Sequence, residues 1–123
     1  MGGEFIHTKF KILFLWKLGK NVHERQKYYD NIFKKYADYF SYCFGNSFLS
    51  YRENIHLMEK LYLNFPIYYE QLENITWDQY LLLLAIEDRK ERYFYFYLSL
   101  FFKSDYQDTL EFIDNHYYKR LFN

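Results

Sequence analysis

Net charge, cysteine, glycine and long apolar runs are all scarce in this sequence, and each shortage excludes a class of protein. The 16 basic and 16 acidic residues cancel to a formal charge of zero. Nucleic acid therefore cannot be held by overall charge, and any such binding must come from a local patch. Cys43 is the single cysteine, which excludes an internal disulfide and fits a reducing cytoplasm. The four glycines are scattered, two of them at the extreme N-terminus, so no glycine-rich phosphate loop exists. The apolar run from Phe10 to Leu18 is broken by Lys11 and Lys17 and is far too short to cross a bilayer. No secretory signal is visible, and a membrane role is not expected. His7, His23, His56 and His116 have no metal-ligand spacing relative to one another or to Cys43, so neither a metal nor a cofactor is expected.

Aromatic residues are abundant. They make up 26% of 123 residues, with 16 Tyr and 14 Phe, in a chain long enough for one domain with a real core. Such a load suggests a core packed with rings whose hydroxyls reach water or a partner. Enrichment in Phe, Tyr, Lys, Asn and Ile is also what an AT-rich genome encodes. Met1 to Phe5 read as a remnant of expression. Residues 1–7 are set aside as a flexible N-terminus or such a remnant, and 8–123 is expected to be a single helical domain.

The organising stretch is Thr76 to Tyr95. Thr76 and Gln79 have the spacing of a capping box, and Trp77 to Ile86 is apolar on nearly every face, as in a short buried helix. Asp88 and Glu91 suggest a second box, so one helix should end near Glu87 and the next begin at once. Leu81 to Leu84 would be the hub. Upstream, Thr8 to Gln26 reads as a helix with Phe10, Leu13, Phe14, Leu18 and Val22 on one face. Gly19 within it requires either a close backbone approach or a nearby helix end. A second helix carries Tyr28, Ile32, Tyr36, Tyr39, Phe40 and Cys43 as its stripe, and Gly45 stops it. Cys43 there reads as a small buried hydrophobe rather than a nucleophile.

Ser50 and Glu53 open a third helix, with Ile55, Met58, Leu61, Tyr62 and Phe65 inward and Arg52, His56, Glu59, Lys60 and Leu63 outward. Pro66 ends it. Tyr68 to Ile75 reads as a linker. The last helix would open at Ser104 and Gln107, with Tyr106, Leu110, Ile113, Tyr117 and Leu121 as its buried seam. Tyr93 to Phe102 has strand-like propensity, but its start signal and the lack of a hairpin partner favour helix. The expected fold is all-α, a compact bundle of about five or six helices.

Several of these segments, in this order, resemble the N-terminal helical domain of YhcG-like proteins, which precedes a PD-(D/E)xK nuclease domain. The resemblance runs from about Leu13 to Leu121. It is carried by Leu15-Trp16-Lys17-Leu18-Gly19-Lys20, Phe44-Gly45-Asn46-Ser47-Phe48, Asn54-Ile55-x-x-Met58 and Tyr62-Leu63-Asn64-Phe65-Pro66. Thr76-Trp77, Leu82-Leu83-Leu84, Ile86, Asp88 and Arg92-Tyr93-Phe94-Tyr95 complete it. The resemblance implies a bacterial or mobile-element protein whose helical domain binds DNA through a helix-turn-helix-like unit. The nuclease half is expected to be absent, and with it an enzyme activity.

The helix ending at Phe44, the Gly45 turn and the helix from Tyr51 to Asn64 have the order of such a unit. Its second helix would enter the major groove of a duplex. Ser50, Arg52 and His56 would then face bases, with Ser47 and Lys60 on phosphates. Glu59 stands where the family usually has a basic residue, and an acid there repels phosphate. Asp88-Arg89-Lys90 has acid-x-Lys spacing, with Asp78 as a second acid. Asp88 is already accounted for as a helix cap, so no nuclease centre is assigned.

The first expectation is thus a non-enzymatic module that binds double-stranded DNA, with a nuclease domain or subunit as a further partner. The alternative is a protein-interaction or dimerisation module with an aromatic interface. Helices that are aromatic on all sides need cover on more than one side, which points to a homodimer.

Overall fold

Every described element is helical, and the physical reason for each lies in its caps and its apolar spacing. The structure, a computed structural model, describes residues 11–24 and 51–122. Among them are six α-helices, one 3-10 helix and no strand, so the fold is all-α. The chain divides into two compact units, Met1–Tyr68 and Tyr69–Asn123. The helix expected over Tyr28 to Cys43, the Gly45 stop and the Ser50 cap lie outside the described residues.

In the first unit, α1 (Lys11–Glu24) packs against α2 (Tyr51–Asn64). The buried face of α1 is Ile12, Leu15, Trp16, Leu18 and Val22, which corrects the expected stripe, since Leu13 and Phe14 are only half-buried. Gly19 sets that rotation. A Cβ there would lie 2.5 Å from the Met58 carbonyl carbon and 3.0 Å from the Glu59 nitrogen, so the two backbones meet where α1 has no side chain. The residues flanking Gly19 at helical spacing are turned toward α2 with it.

The inward residues of α2 are as its periodicity predicts: Ile55, Met58, Leu61 and Phe65 are buried. Tyr62 is half-buried at the edge, where its ring meets Trp16 at 5.5 Å and His23 at 5.8 Å. Pro66 follows the last bond of the helix, from the Phe65 N–H to the Leu61 carbonyl, and has no N–H to continue it. The Phe65 carbonyl, left over at that end, accepts from Trp16 Nε1 at 2.6 Å.

The second unit begins with a correction. The expected linker contains a 3-10 helix, Glu70–Asn74, and Leu72 and Ile75 around it are core residues at 0% and 1% exposure. Their burial, worth roughly 1.5–3 kcal/mol per side chain, outweighs the polar composition of the segment. Tyr80 Oη also donates to the Leu72 carbonyl at 2.6 Å.

Next come α3 (Trp77–Leu84), α4 (Arg89–Phe101), α5 (Tyr106–Asp114) and α6 (Tyr117–Phe122). The Thr76/Gln79 capping box is present as read. The helix ends at Leu84 rather than near Glu87: the Ile86 N–H turns back to the Leu83 carbonyl, and the Arg92 guanidinium takes the Ile86 carbonyl at 2.5 and 3.0 Å. Of the expected hub, Leu83 and Leu84 are buried with Trp77, Gln79 and Tyr80, while Leu81 and Leu82 are half-buried. Asp88 does cap α4, but by accepting from the Lys90 N–H at 3.0 Å.

The aromatic segment is indeed helical. It closes with Lys103 in the left-handed region (φ 52), the Lys103 N–H bonded to the Leu100 carbonyl and the Ser104 N–H to the Ser99 carbonyl, a Schellman turn. That turn moves the next start signal one residue on. The box is Asp105/Asp108, not Ser104/Gln107, because Ser104 is buried in the turn. The single last helix is also corrected: it breaks at Asn115 and His116 (φ 56). The break destroys the expected seam, since Tyr106 is 43% and Leu121 66% exposed, and the buried residue of α5 is Thr109.

Candidate nucleic-acid interface

The outward side of α2 is where the sequence places DNA contacts. Ser47 and Ser50 lie outside the described residues, and Arg52 stands in the first turn of α2. His56 and Lys60 are exposed, at i and i+4, and so share one face of the helix. The first helix and turn of the expected helix-turn-helix unit also fall outside the described residues.

Glu59, one of two acids on this helix with Glu53, is turned aside. Its carboxylate lies 3.2 Å from Nδ1 of His23 on α1, and its side chain is only 18% exposed. A carboxylate can only accept, so the shared hydrogen belongs to His23. The contact closes the edge of the helix pair, with the Tyr62 ring against His23 on one side and Trp16 on the other. Beside it, Lys20 Nζ lies 5.7 Å from the Trp16 ring centroid and 3.9 Å from Glu24 Oε1. Sequence reasoning left Lys20 and His23 out of the candidate site. Their spacing with Trp16 (i, i+4, i+7) was visible, but the partner that gives it meaning lies 36 residues away.

The second unit carries a different surface. Along α4, Arg89, Tyr93, Tyr97 and Phe101 follow one another at four-residue intervals. The Arg89 guanidinium lies 5.5 Å from the Tyr93 ring centroid, and the Tyr93 and Tyr97 rings are 6.5 Å apart. Tyr69 joins this row, and its hydroxyl is pushed up to about 12 by burial, then by the negative charge Tyr97 would carry, the hydrogen bond with Tyr97, and Tyr93. Farther along, Phe101 is 80% exposed, Phe102 61% and Phe122 61%. Phe94, Tyr118 and Phe122 form a cluster of rings with centroids 4.9–5.7 Å apart. Burial also raises the Tyr95 hydroxyl, opposed by the Tyr118 N–H that donates to it and reinforced by Glu91.

Asp88, the one acid with nuclease-like spacing to a lysine, spends its carboxylate on the α4 N-terminus. Among the described residues, no three His, Cys, Asp or Glu side chains gather as a metal site would require, and no helix is long and apolar enough to cross a membrane.

The fold and this surface define a small all-helical domain with no strand among its described residues. The DUF1016 N-terminal domain matches residues 8–120, nearly the whole chain, and the protein belongs to that family, the YhcG-like family of the sequence resemblance. The match is to the N-terminal domain. No curated protein and no solved structure matches the chain.

Proposed function

We propose that this domain binds double-stranded DNA through the outward face of α2, with Arg52, His56 and Lys60 as the contacts along the helix and Ser47 and Ser50 ahead of it. The observation that carries this reading is the position of Glu59. Glu59, an acid that would repel phosphate from this face, is held against His23, while His56 and Lys60 are exposed. Basic residues on an exposed helix can then meet the duplex backbone. In this reading the domain is a binding module in the cytoplasm, and a nuclease domain or subunit is the partner that its family membership suggests.

Binding of a fluorescent random-sequence duplex at low and at physiological salt tests the reading. Arg52→Glu and Lys60→Glu should each weaken binding and reduce its salt dependence. Mutants that bind like the parent protein would show that the face is wrongly assigned.

A second reading, a protein-interaction or homodimer interface, is favoured by the ring-rich surface of α4 and α6, where Phe101, Phe102, Leu121 and Phe122 are all more than 60% exposed. It predicts a concentration-dependent oligomer in sedimentation, lost in a Phe101→Ser, Phe102→Ser double mutant. A protein that stays monomeric at high concentration rules out the homodimer.

A further inference from the structure

The DNA reading leaves α1 without a role, yet α1 borders the α2 face. Trp16, Lys20 and His23 stand in one column of α1 by their spacing. The two ends of that column touch α2: Trp16 meets Tyr62 at 5.5 Å and donates to the Phe65 carbonyl, and His23 meets Tyr62 and Glu59. Lys20 lies between them in the column and is therefore placed along the edge that α1 shares with α2. Its side chain is 47% exposed, with the ammonium over the Trp16 ring, which shortens the reach over which a flexible lysine must be ordered. Glu24, 49% exposed and 3.9 Å away, is the anion that phosphate would displace.

We infer that α1 supplies a second contact strip to the same duplex: Lys20, braced on Trp16, binds a backbone phosphate beside the α2 face. This rests on the DNA-binding reading and extends it from one helix to a two-helix surface. The ligand chemistry is that of a nucleic-acid phosphate. The contact carries no sequence information and should act alike on every duplex.

The test is duplex binding as a function of salt for Lys20→Gln, Lys20→Arg and Glu24→Gln in the full chain, with circular dichroism to confirm folding. Lys20→Gln should bind roughly fivefold more weakly, with a log–log salt slope smaller by about one, on random and on defined duplexes alike. Lys20→Arg should restore binding. Glu24→Gln should tighten it by about two- to fivefold by freeing Lys20. If Arg52→Glu and Lys60→Glu weaken binding while the Lys20 and Glu24 variants match the parent, the α1 strip is overturned and the α2 face stands. If the parent protein shows no salt-sensitive duplex binding, both fail together.

Discussion

Gln79 and Thr109, 30 residues apart in the chain, meet at 2.9 Å in the interior of the second unit. Gln79 Nε2 also donates to the Ser104 carbonyl at 2.8 Å, and its Oε1 accepts the Thr76 N–H at 2.9 Å. Thr109 Oγ1 shares a further hydrogen bond with Ser99 Oγ at 2.8 Å. One buried amide thus ties the start of α3 to the turn that ends α4 and to α5. Both hydrogens of the amide are used, and so is its oxygen, which is what makes a buried polar side chain tolerable.

Replacing Gln79 with Leu leaves the Thr76 N–H, the Ser104 carbonyl and the Thr109 hydroxyl short of partners. It should cost about 2–4 kcal/mol in urea denaturation, and Thr109→Val about 1–2 kcal/mol. The double mutant should cost less than the sum, because the two share one bond. Strict additivity would show that the network is not coupled.

Gly19→Ala should destabilise the protein even though alanine is the better helix former by about 1 kcal/mol. The added methyl meets the Met58 carbonyl, which is backbone and cannot rotate away. Overpacking of this kind costs about 1–3 kcal/mol. Thermal unfolding followed by circular dichroism checks the sign, and a higher melting temperature in the variant would contradict the close approach of α1 and α2.

Lys103→Gly should act in the opposite direction. The residue is exposed and sits at φ 52, which a side chain disfavours and glycine adopts freely. A gain of up to about 1 kcal/mol is expected in the same denaturation assay. A loss would mean that the Lys103 side chain makes a stabilising contact that outweighs the strain of its backbone.

Tyr69 makes stability depend on alkaline pH. Its hydroxyl is raised to about 12 in the folded protein from an ordinary 10.0, so between these values the unfolded chain releases a proton that the folded chain retains. Its contribution is complete below pH 10.0 and is lost as pH rises toward about 12. Tyr69→Phe should flatten that part of the stability profile. The tyrosinate absorbance of the folded parent should likewise show a phenol titrating above the ordinary position that is missing from Tyr69→Phe.

Much of the fold was legible because its signals are local. The face of α2 follows from apolar spacing, its end from Pro66, and the start of α3 from Thr76 and Gln79, all within a few residues of chain. The helical state of Tyr93 to Phe101 likewise followed from a start signal that outweighed ring-rich propensity. Of the candidate site, His56 and Lys60 are exposed on α2 as that spacing requires, while Ser47 and Ser50 lie outside the described residues.

Four of the misreadings turned on contacts distant in sequence. Leu13 and Phe14 read as core residues until Gly19 met Met58 and fixed the rotation of α1. Leu72 and Ile75 read as linker until the core of the second unit took them in. Ser104 read as a cap until the Schellman turn buried it and Gln79 claimed its carbonyl. Glu59 read as an acid on an open face until His23, from the other helix, turned it aside.

The sequence by itself determined the all-helical class, the family and the helix ends at Pro66, Thr76 and Asp88, because backbone capping and amphipathic spacing act over one or two turns. Only the tertiary structure decided which way each helix is turned, which polar groups are buried together and which charges remain on the surface. Those outcomes are set by contacts between residues tens of positions apart, and local spacing carries no information about them.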